Sequence, residues 1–163
     1  MTTKTAYRPG PVGALLDEYE RAAAELRQLL ERIPKDEYEK LADPDTADED
    51  CRTLQTICRH VIGAGYGYCD YLRKEFGVPS TRRPFEQIPH GELLSAYDAM
   101  MAYTTETLEP KLKMTEKEMA GVRFVTRWGS PYEMEQILEH AIVHILRHRR
   151  QIERLRAAGR VRF

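Results

Sequence analysis

The sequence has few cysteines, and their arrangement excludes several kinds of site. Cys51, Cys58 and Cys69 are odd in number and contain no C-x-x-C pair, which argues against a disulfide framework and against a cysteine-based zinc site. Their spacing of 7 and 11 residues places all three on one face of a helix. We therefore expect three reduced thiols in the core.

The sequence also lacks a large net charge and a long apolar run. With 25 basic and 26 acidic residues, the formal charge of −1 creates no general attraction to nucleic acid or to an anionic membrane. No apolar segment approaches the roughly 20 residues of a membrane span, and "MTTKTAYRPG" has no signal-peptide core. The basic segment "RHRRQIERLRAAGRVRF" spreads its arginines around a helix, so we interpret it as a solvated face with a frayed end. The chain is expected to be cytoplasmic, without a membrane or nucleic-acid partner.

The apolar residues that are present follow a helical period. A chain of 163 residues with 42% hydrophobic residues suits one domain over residues 1–163. Apolar residues recur at the three- and four-residue spacing of amphipathic helices in four long segments, and no segment alternates as strands do. This pattern predicts an all-α fold, a four-helix bundle, with helices at about residues 11–32, 47–76, 90–113 and 130–155.

Two of the predicted helix starts rest on capping motifs. Thr46 and Glu49 match a capping box before the second helix. Ser130, Pro131 and Glu133 supply an N-cap, a first-turn proline and a capping glutamate for the last helix. Between the helices, the acidic segment "DPDTADED" is expected to be a solvated loop.

Three of the five histidines lie on the last helix at intervals of four residues, in "EHAIVHILRHRRQI". At about 100° per residue, His148 lies about 40° and His144 about 80° from the centre of the apolar face, whereas His140 lies about 120° away. His144 and His148 therefore lean inward, about 6 Å apart along the axis, close enough for two imidazoles to bind one ion. His140 is not expected to be a ligand.

A third ligand has to come from another helix, and His60 in "TICRHVIGAGYGY" is the candidate. Ideal geometry places His60 on the flank of its helix, about 120° from the apolar centre. The glycines that follow it, Gly63, Gly65 and Gly67, each cost about 1 kcal/mol relative to alanine inside a helix. A close approach by a neighbouring helix, or a ligand pocket beside His60, would compensate for that cost.

The residues alone leave a structural role for the histidines open. A histidine at the edge of a core is commonly a hydrogen-bonded structural residue, which is the role we expect for His90. His144 and His148 fit either that role or a metal pair. The sequence contains no H-E-x-x-H motif of a zinc protease and no Glu-x-x-His motif of a di-iron bundle, and "GAGYGY" lacks the spacing of a dinucleotide-binding loop.

Two segments resemble a known family. "HILRHRRQI" resembles the closing motif H-x-x-x-H-R-x-Q of the DinB-like metalloenzyme family, and "LQTICRHVIGAG" resembles its earlier segment, in which one histidine follows an apolar helical run. The resemblance covers nearly the whole chain. It implies a four-helix bundle, often a homodimer, in which His60, His144 and His148 bind a divalent metal such as zinc or nickel.

The resemblance also implies a class of function. Members of the family include bacterial S-transferases that use a low-molecular-weight thiol, and thiol-dependent isomerases. By this likeness the chain would bind a metal and a small thiol cosubstrate and act on a small electrophile. The alternative is a metal-binding or structural stress-response protein without turnover.

Overall fold

The computed structural model describes residues 7–163, and four long helices dominate this part of the chain. Helix α1 packs against α4 and α6, and α3 packs against the same two helices. The predicted four-helix bundle is therefore confirmed. The long helices are α1 (Gly10–Leu30), α3 (Leu54–Glu75), α4 (Leu93–Leu108) and α6 (Met134–Ala157).

The core of the bundle combines aliphatic side chains with buried tyrosines. Leu16 of α1, Leu54 and Leu72 of α3 and Met100 of α4 are fully buried. Tyr97 is also buried, and its hydroxyl donates a hydrogen bond to the carbonyl oxygen of Ala23 at 3.0 Å. Because buried polar groups need partners, this bond allows α4 to bury a phenol against α1.

Shorter elements connect the long helices. Helix α2 (Lys35–Tyr38) follows α1, and α5 (Glu116–Gly121) follows α4. Strands β1 (Arg123–Val125) and β2 (Pro131–Glu133) then form an antiparallel pair before α6. Thr115 caps α5 in a reciprocal capping box, with its hydroxyl accepting from the amide of Glu118.

The predicted start of the second long helix is wrong by seven residues. Glu49 to Cys51 form a single 3-10 turn, and Thr53 pairs with Leu41 in an isolated β-bridge. Helix α3 then begins at Leu54, where Thr53 and Thr56 form a reciprocal capping box. The Thr46 motif does not start the helix, because the extended backbone at Thr53 would interrupt a helix that began earlier.

The predicted start of the last helix is also wrong. Residues 131–133 are a strand, and the amide of Thr126 donates to the carbonyl oxygen of Ser130 across the hairpin turn. Helix α6 begins at Met134, with the side chain of Gln136 accepting from the amide of Glu133. Proline is compatible with the end of a two-stranded pair as well as with a first helical turn. Here the pairing with β1 makes Pro131 part of a strand.

Three smaller expectations also need correction. Helix α4 is shorter than predicted, because Glu109–Lys111 around Pro110 form a 3-10 turn. Cys51 lies in the 3-10 turn and is partly exposed, whereas Cys58 and Cys69 are buried on α3 as expected. The C-terminal end is not frayed, since Val161 is buried in the core.

Candidate metal centre

The three predicted histidines meet between α3 and α6. His60 lies on α3, and His144 and His148 lie one turn apart on α6. The Nε2 atom of His144 is 3.0 Å from Nε2 of His60 and 3.2 Å from Nε2 of His148. One nitrogen from each ring lies within 4.8 Å of the other two. The structure therefore brings together the three histidines that the sequence predicts as ligands, although their role in metal binding stays a prediction.

The outward nitrogens of two of these rings are held by polar side chains. Nδ1 of His60 donates to the carboxylate of Asp50 at 3.2 Å, and Asp50 also forms an ion pair with Arg59. Nδ1 of His148 donates to Oε1 of Gln151 at 2.8 Å. Since the acceptors require a proton on Nδ1, the neutral form of each ring has an unprotonated Nε2 that faces the centre of the cluster. Such outer hydrogen bonds orient metal-binding imidazoles.

Burial keeps His144 and His148 of α6 neutral. The exposed fractions of His144 and His148 are 4% and 5%, against 26% for the side chain of His60. Burial lowers the pKa of His144 to about 2, with His148 and His60 adding to the effect. It also lowers the pKa of His148 to about 4, which the hydrogen bond to Gln151 partly opposes. Neutral imidazoles are the form that binds a metal ion.

The donor set fits a divalent cation. Nε2 of His144 lies within hydrogen-bond distance of two unprotonated Nε2 atoms and could donate its single proton to only one of them. A cation would instead accept all three lone pairs. Zinc–nitrogen bonds of about 2.0–2.1 Å in tetrahedral geometry place neighbouring nitrogens about 3.3 Å apart, close to the two distances observed.

The remaining histidines lie outside the cluster. His140 accepts or donates a hydrogen bond with the Tyr132 hydroxyl at 3.2 Å and stacks on Trp128, with ring centroids 5.7 Å apart. Nε2 of His90 donates to the carbonyl oxygen of Ile33 at 2.8 Å, so its predicted structural role is confirmed. Among residues 7–163, the group able to share one ion is His60, His144 and His148.

A comparison with known protein families matches residues 1–162 to the DinB family. The chain belongs to the DinB family. A search among curated proteins returns no match. Among residues 7–163, no helix has the length and apolar character that crossing a bilayer requires.

In this DinB family member an open cavity of about 890 Å³ adjoins His60. Gly63 and Gly67 line the cavity. Gly65 instead faces α4, where an added Cβ would lie 2.4 Å from Sδ of Met100. Both explanations for the glycines of α3 therefore hold, since one glycine allows a close helix contact and two border a pocket.

The cavity also contains a buried phenol. Tyr68 is one of its lining residues, and the ring packs edge-on against His140 and His144, with centroids 5.3 and 5.7 Å away. Burial raises the pKa of Tyr68 to about 12, although nearby Arg147 and Arg127 oppose the rise. At neutral pH the hydroxyl is therefore protonated and able to donate a hydrogen bond.

Sequence reasoning missed the residues that hold the histidines. Asp50 belongs to the acidic segment that we expected to be only solvated, and its contact with His60 depends on the 3-10 turn at Glu49–Cys51. Gln151 did carry a signal, because it lies three residues after His148 on the same helix face. The H-x-x-x-H-R-x-Q spacing thus includes both an inner ligand candidate and its outer partner in this DinB chain.

Proposed function

We propose that the chain is a divalent-metal-dependent enzyme in which His60, His144 and His148 bind one zinc or nickel ion. The convergence of three Nε2 atoms, two of them unprotonated because of their outer hydrogen bonds, carries this proposal. The lowered pKa values of His144 and His148 keep these two rings neutral near neutral pH, so an ion displaces no proton from their charged forms. Membership of the DinB family supports the same assignment.

The cluster has the composition of a catalytic rather than a closed structural site. Structural zinc sites use four protein ligands, whereas three protein ligands leave a position for water or substrate. The cavity beside His60 provides access to that side of the cluster. We further propose that the reaction is the transfer of a small thiol cosubstrate to a small electrophile. A bound divalent ion would supply Lewis acidity that favours the thiolate form of the cosubstrate.

The chain's own residues would bind and orient the reactants. Asp50 and Gln151 fix the His60 and His148 rings, so little reorganisation is needed when an ion binds. Tyr68 and the aromatic side chains at the cavity wall exclude water from one side of His144. We propose a bacterial, cytoplasmic homodimer as the assembly in which this occurs.

The alternative is a metal-binding or structural stress-response protein without turnover. One observation favours it, which is that both carboxylates lining the cavity are already paired. Asp50 binds Arg59 and His60, and Asp70 binds Arg82 at 2.7 Å and accepts from the Tyr103 hydroxyl. A paired carboxylate is a weak general base.

Elemental analysis followed by a conjugation screen separates these functions. We expect one divalent ion per chain and, with the metal-loaded protein, thiol-dependent loss of a small electrophile that stops on chelation. Metal binding without turnover across a broad set of thiols and electrophiles would favour the alternative. A purified chain that retains no metal after exposure to zinc and nickel would contradict the proposed enzyme and leave only the structural form of the alternative.

A further inference from the structure

The hydroxyl of Tyr68 is an unpartnered polar group on a buried side chain. Tyr68 is 7% exposed as a residue, and its hydroxyl makes no hydrogen bond within residues 7–163, while its oxygen keeps some contact with solvent. Its ring packs edge-on against His140 and His144, and the residue lines the cavity. A phenol hydroxyl that makes no hydrogen bond within the protein and reaches solvent can donate one to a ligand.

The same cavity carries an excess of positive charge. Its lining includes four basic side chains and two carboxylates. Asp50 and Asp70 form ion pairs with Arg59 and Arg82. Within residues 7–163, neither Lys74 nor Arg127 has a carboxylate oxygen within 4.0 Å. A concave surface with uncompensated cations attracts anions.

Arg127 is held next to a flat apolar wall. The amide of Arg127 donates to the Tyr71 hydroxyl at 2.8 Å, which ties the hairpin turn to α3. Trp128 follows, 44% exposed, packing edge-on against Tyr71 with centroids 6.3 Å apart and stacking on His140. An aromatic ring fixed on two sides and open on a third offers a surface for a planar group.

We propose that this cavity binds a small molecule in which a carboxylate lies next to a flat apolar group. The Tyr68 hydroxyl donates a hydrogen bond to the carboxylate, Arg127 neutralises its charge, and Trp128 contacts the flat group. The inference deepens the proposed function, because it names the substrate class of the same site and assigns Tyr68 and Arg127 as specificity-determining residues. Binding of the carboxylate itself requires Tyr68 and Arg127 and does not require the metal.

The single tryptophan of the chain provides a direct readout. Because the chain has one tryptophan, the indole N–H of Trp128 gives one isolated resonance in a ¹⁵N–¹H correlation spectrum. Because Trp128 lines the cavity, that resonance responds to binding there. The titrations would use benzoate and its neutral analogue benzamide, each with zinc-loaded and with chelator-treated protein. We expect benzoate to shift the resonance in both preparations and to bind at least about tenfold more tightly than benzamide, because hydrogen bonds to a charged group are the stronger ones.

Matched variants test the assignment of residues. Tyr68→Phe removes only the hydroxyl, and Arg127→Gln removes only the charge of an exposed side chain. Each should weaken benzoate binding about tenfold and benzamide binding much less, because the benzamide oxygen is an uncharged acceptor, and Arg127→Lys should recover part of the loss. Arg150→Gln, an exposed arginine outside the cavity, should change neither affinity.

Three results would overturn the inference. They are equal affinities for benzoate and benzamide, unchanged benzoate binding in both Tyr68→Phe and Arg127→Gln, and benzoate binding that disappears on chelation. The last would mean that the ion alone holds the carboxylate. Elemental analysis keeps this outcome apart from failure of the proposed function, because a chain without metal that still discriminates benzoate refutes only the metal assignment.

Discussion

The Nε2 atoms of His60 and His144 lie 3.0 Å apart, although 84 residues separate the two histidines in the sequence. Two nitrogen lone pairs at this distance repel unless a proton or a cation lies between them. His144 has at most one proton on Nε2 for the two neighbouring Nε2 atoms of His60 and His148, so a hydrogen bond satisfies only one of the two contacts in the neutral cluster. A bound cation would satisfy both, and the first prediction follows from this.

Removing either inward histidine of α6 should abolish stoichiometric metal binding. His144→Ala and His148→Ala each delete one of three ligands, and a pair of imidazoles binds a divalent ion much more weakly than three. His140→Ala is the matched control on the same helix, because that ring contacts Trp128 and Tyr132 instead. Elemental analysis should find about one ion per chain in the control and almost none in the other two variants. Equal metal content in wild type and His144→Ala would refute the ligand assignment.

The side chains that hold the outer nitrogens should tune metal affinity without providing ligands. Asp50→Asn replaces the charged acceptor of His60 Nδ1 by a neutral amide, and Gln151→Ala removes the acceptor of His148 Nδ1. We expect each to weaken metal binding by about 10–100-fold, as measured by competition with a chromogenic chelator. Glu49→Gln changes an exposed carboxylate in the same 3-10 turn and should leave the affinity unchanged. Affinity in Asp50→Asn equal to that of Glu49→Gln would mean that the His60 contact has no role in binding.

The sequence predicts much of this arrangement because helical periodicity is a local signal. The apolar spacing identifies the four long helices, and the angle of His144 and His148 from the apolar centre predicts that both lean inward. Both histidines are buried as that angle requires. Periodicity places His60 on the flank of its helix, about 120° from the apolar centre, so it does not by itself predict that His60 faces α6.

The parts that sequence reasoning missed depend on contacts between distant segments. The start of α6 was misplaced because Ser130 and Pro131 satisfy a helix-start pattern locally, whereas pairing of β2 with β1 is a nonlocal interaction. The contact of Asp50 with His60 was missed for the same reason, since it requires a 3-10 turn that no local motif predicts. Local patterns therefore located the inner histidines, and tertiary packing determined what surrounds them.

The stability of the metal-free protein should fall as pH drops below about 6.5. The folded-state pKa values of His144 and His148 are about 2 and about 4, below the unfolded value of about 6.5. The unfolded chain therefore binds protons that the folded chain does not. Each of the two histidines destabilises the fold by about 1.4 kcal/mol per pH unit, between about pH 6.5 and its own folded pKa.

Urea denaturation at several pH values measures this dependence. His148→Asn should reduce the slope of unfolding free energy against pH by about one proton between pH 6 and 4.5, because the variant no longer has that imidazole to protonate in the unfolded state. Carboxylates contribute to acid destabilisation in both proteins, so the difference between them isolates the histidine. Identical slopes would show that His148 is charged in the folded protein.

The glycines of α3 should respond to alanine in opposite directions. At Gly65 a new Cβ would lie 2.4 Å from Sδ of the buried Met100, so the overpacking cost of about 1–3 kcal/mol exceeds the gain in helix propensity. At Gly67 no atom lies within 4 Å of an added Cβ, and the gain of about 0.5–1 kcal/mol should remain. Urea unfolding of Gly65→Ala and Gly67→Ala tests the pair. Stabilisation by both would mean that α3 and α4 can separate at no cost.

Any thiol-transfer activity should depend on an added small thiol and not on the chain's own cysteines. Burial raises the pKa of Cys58 to about 12 and that of Cys69 to about 11. Burial also raises the pKa of Cys51, although that thiol is only partly buried. The thiolate is the nucleophile, so none of the three supplies an appreciable amount of it at neutral pH.

A triple variant tests this point directly. Cys51→Ser, Cys58→Ala and Cys69→Ala together should retain the metal and any thiol-transfer rate, provided that circular dichroism shows the wild-type helix content. Serine suits Cys51, because that side chain contacts Asp48 at the exposed 3-10 turn, and alanine suits the two buried sites, where an unpaired hydroxyl would be costly. Chelation of the wild type should stop turnover. Turnover that survives chelation would refute the proposed role of the metal, and turnover that disappears in a folded and metal-loaded triple variant would mean that a protein thiol is the nucleophile.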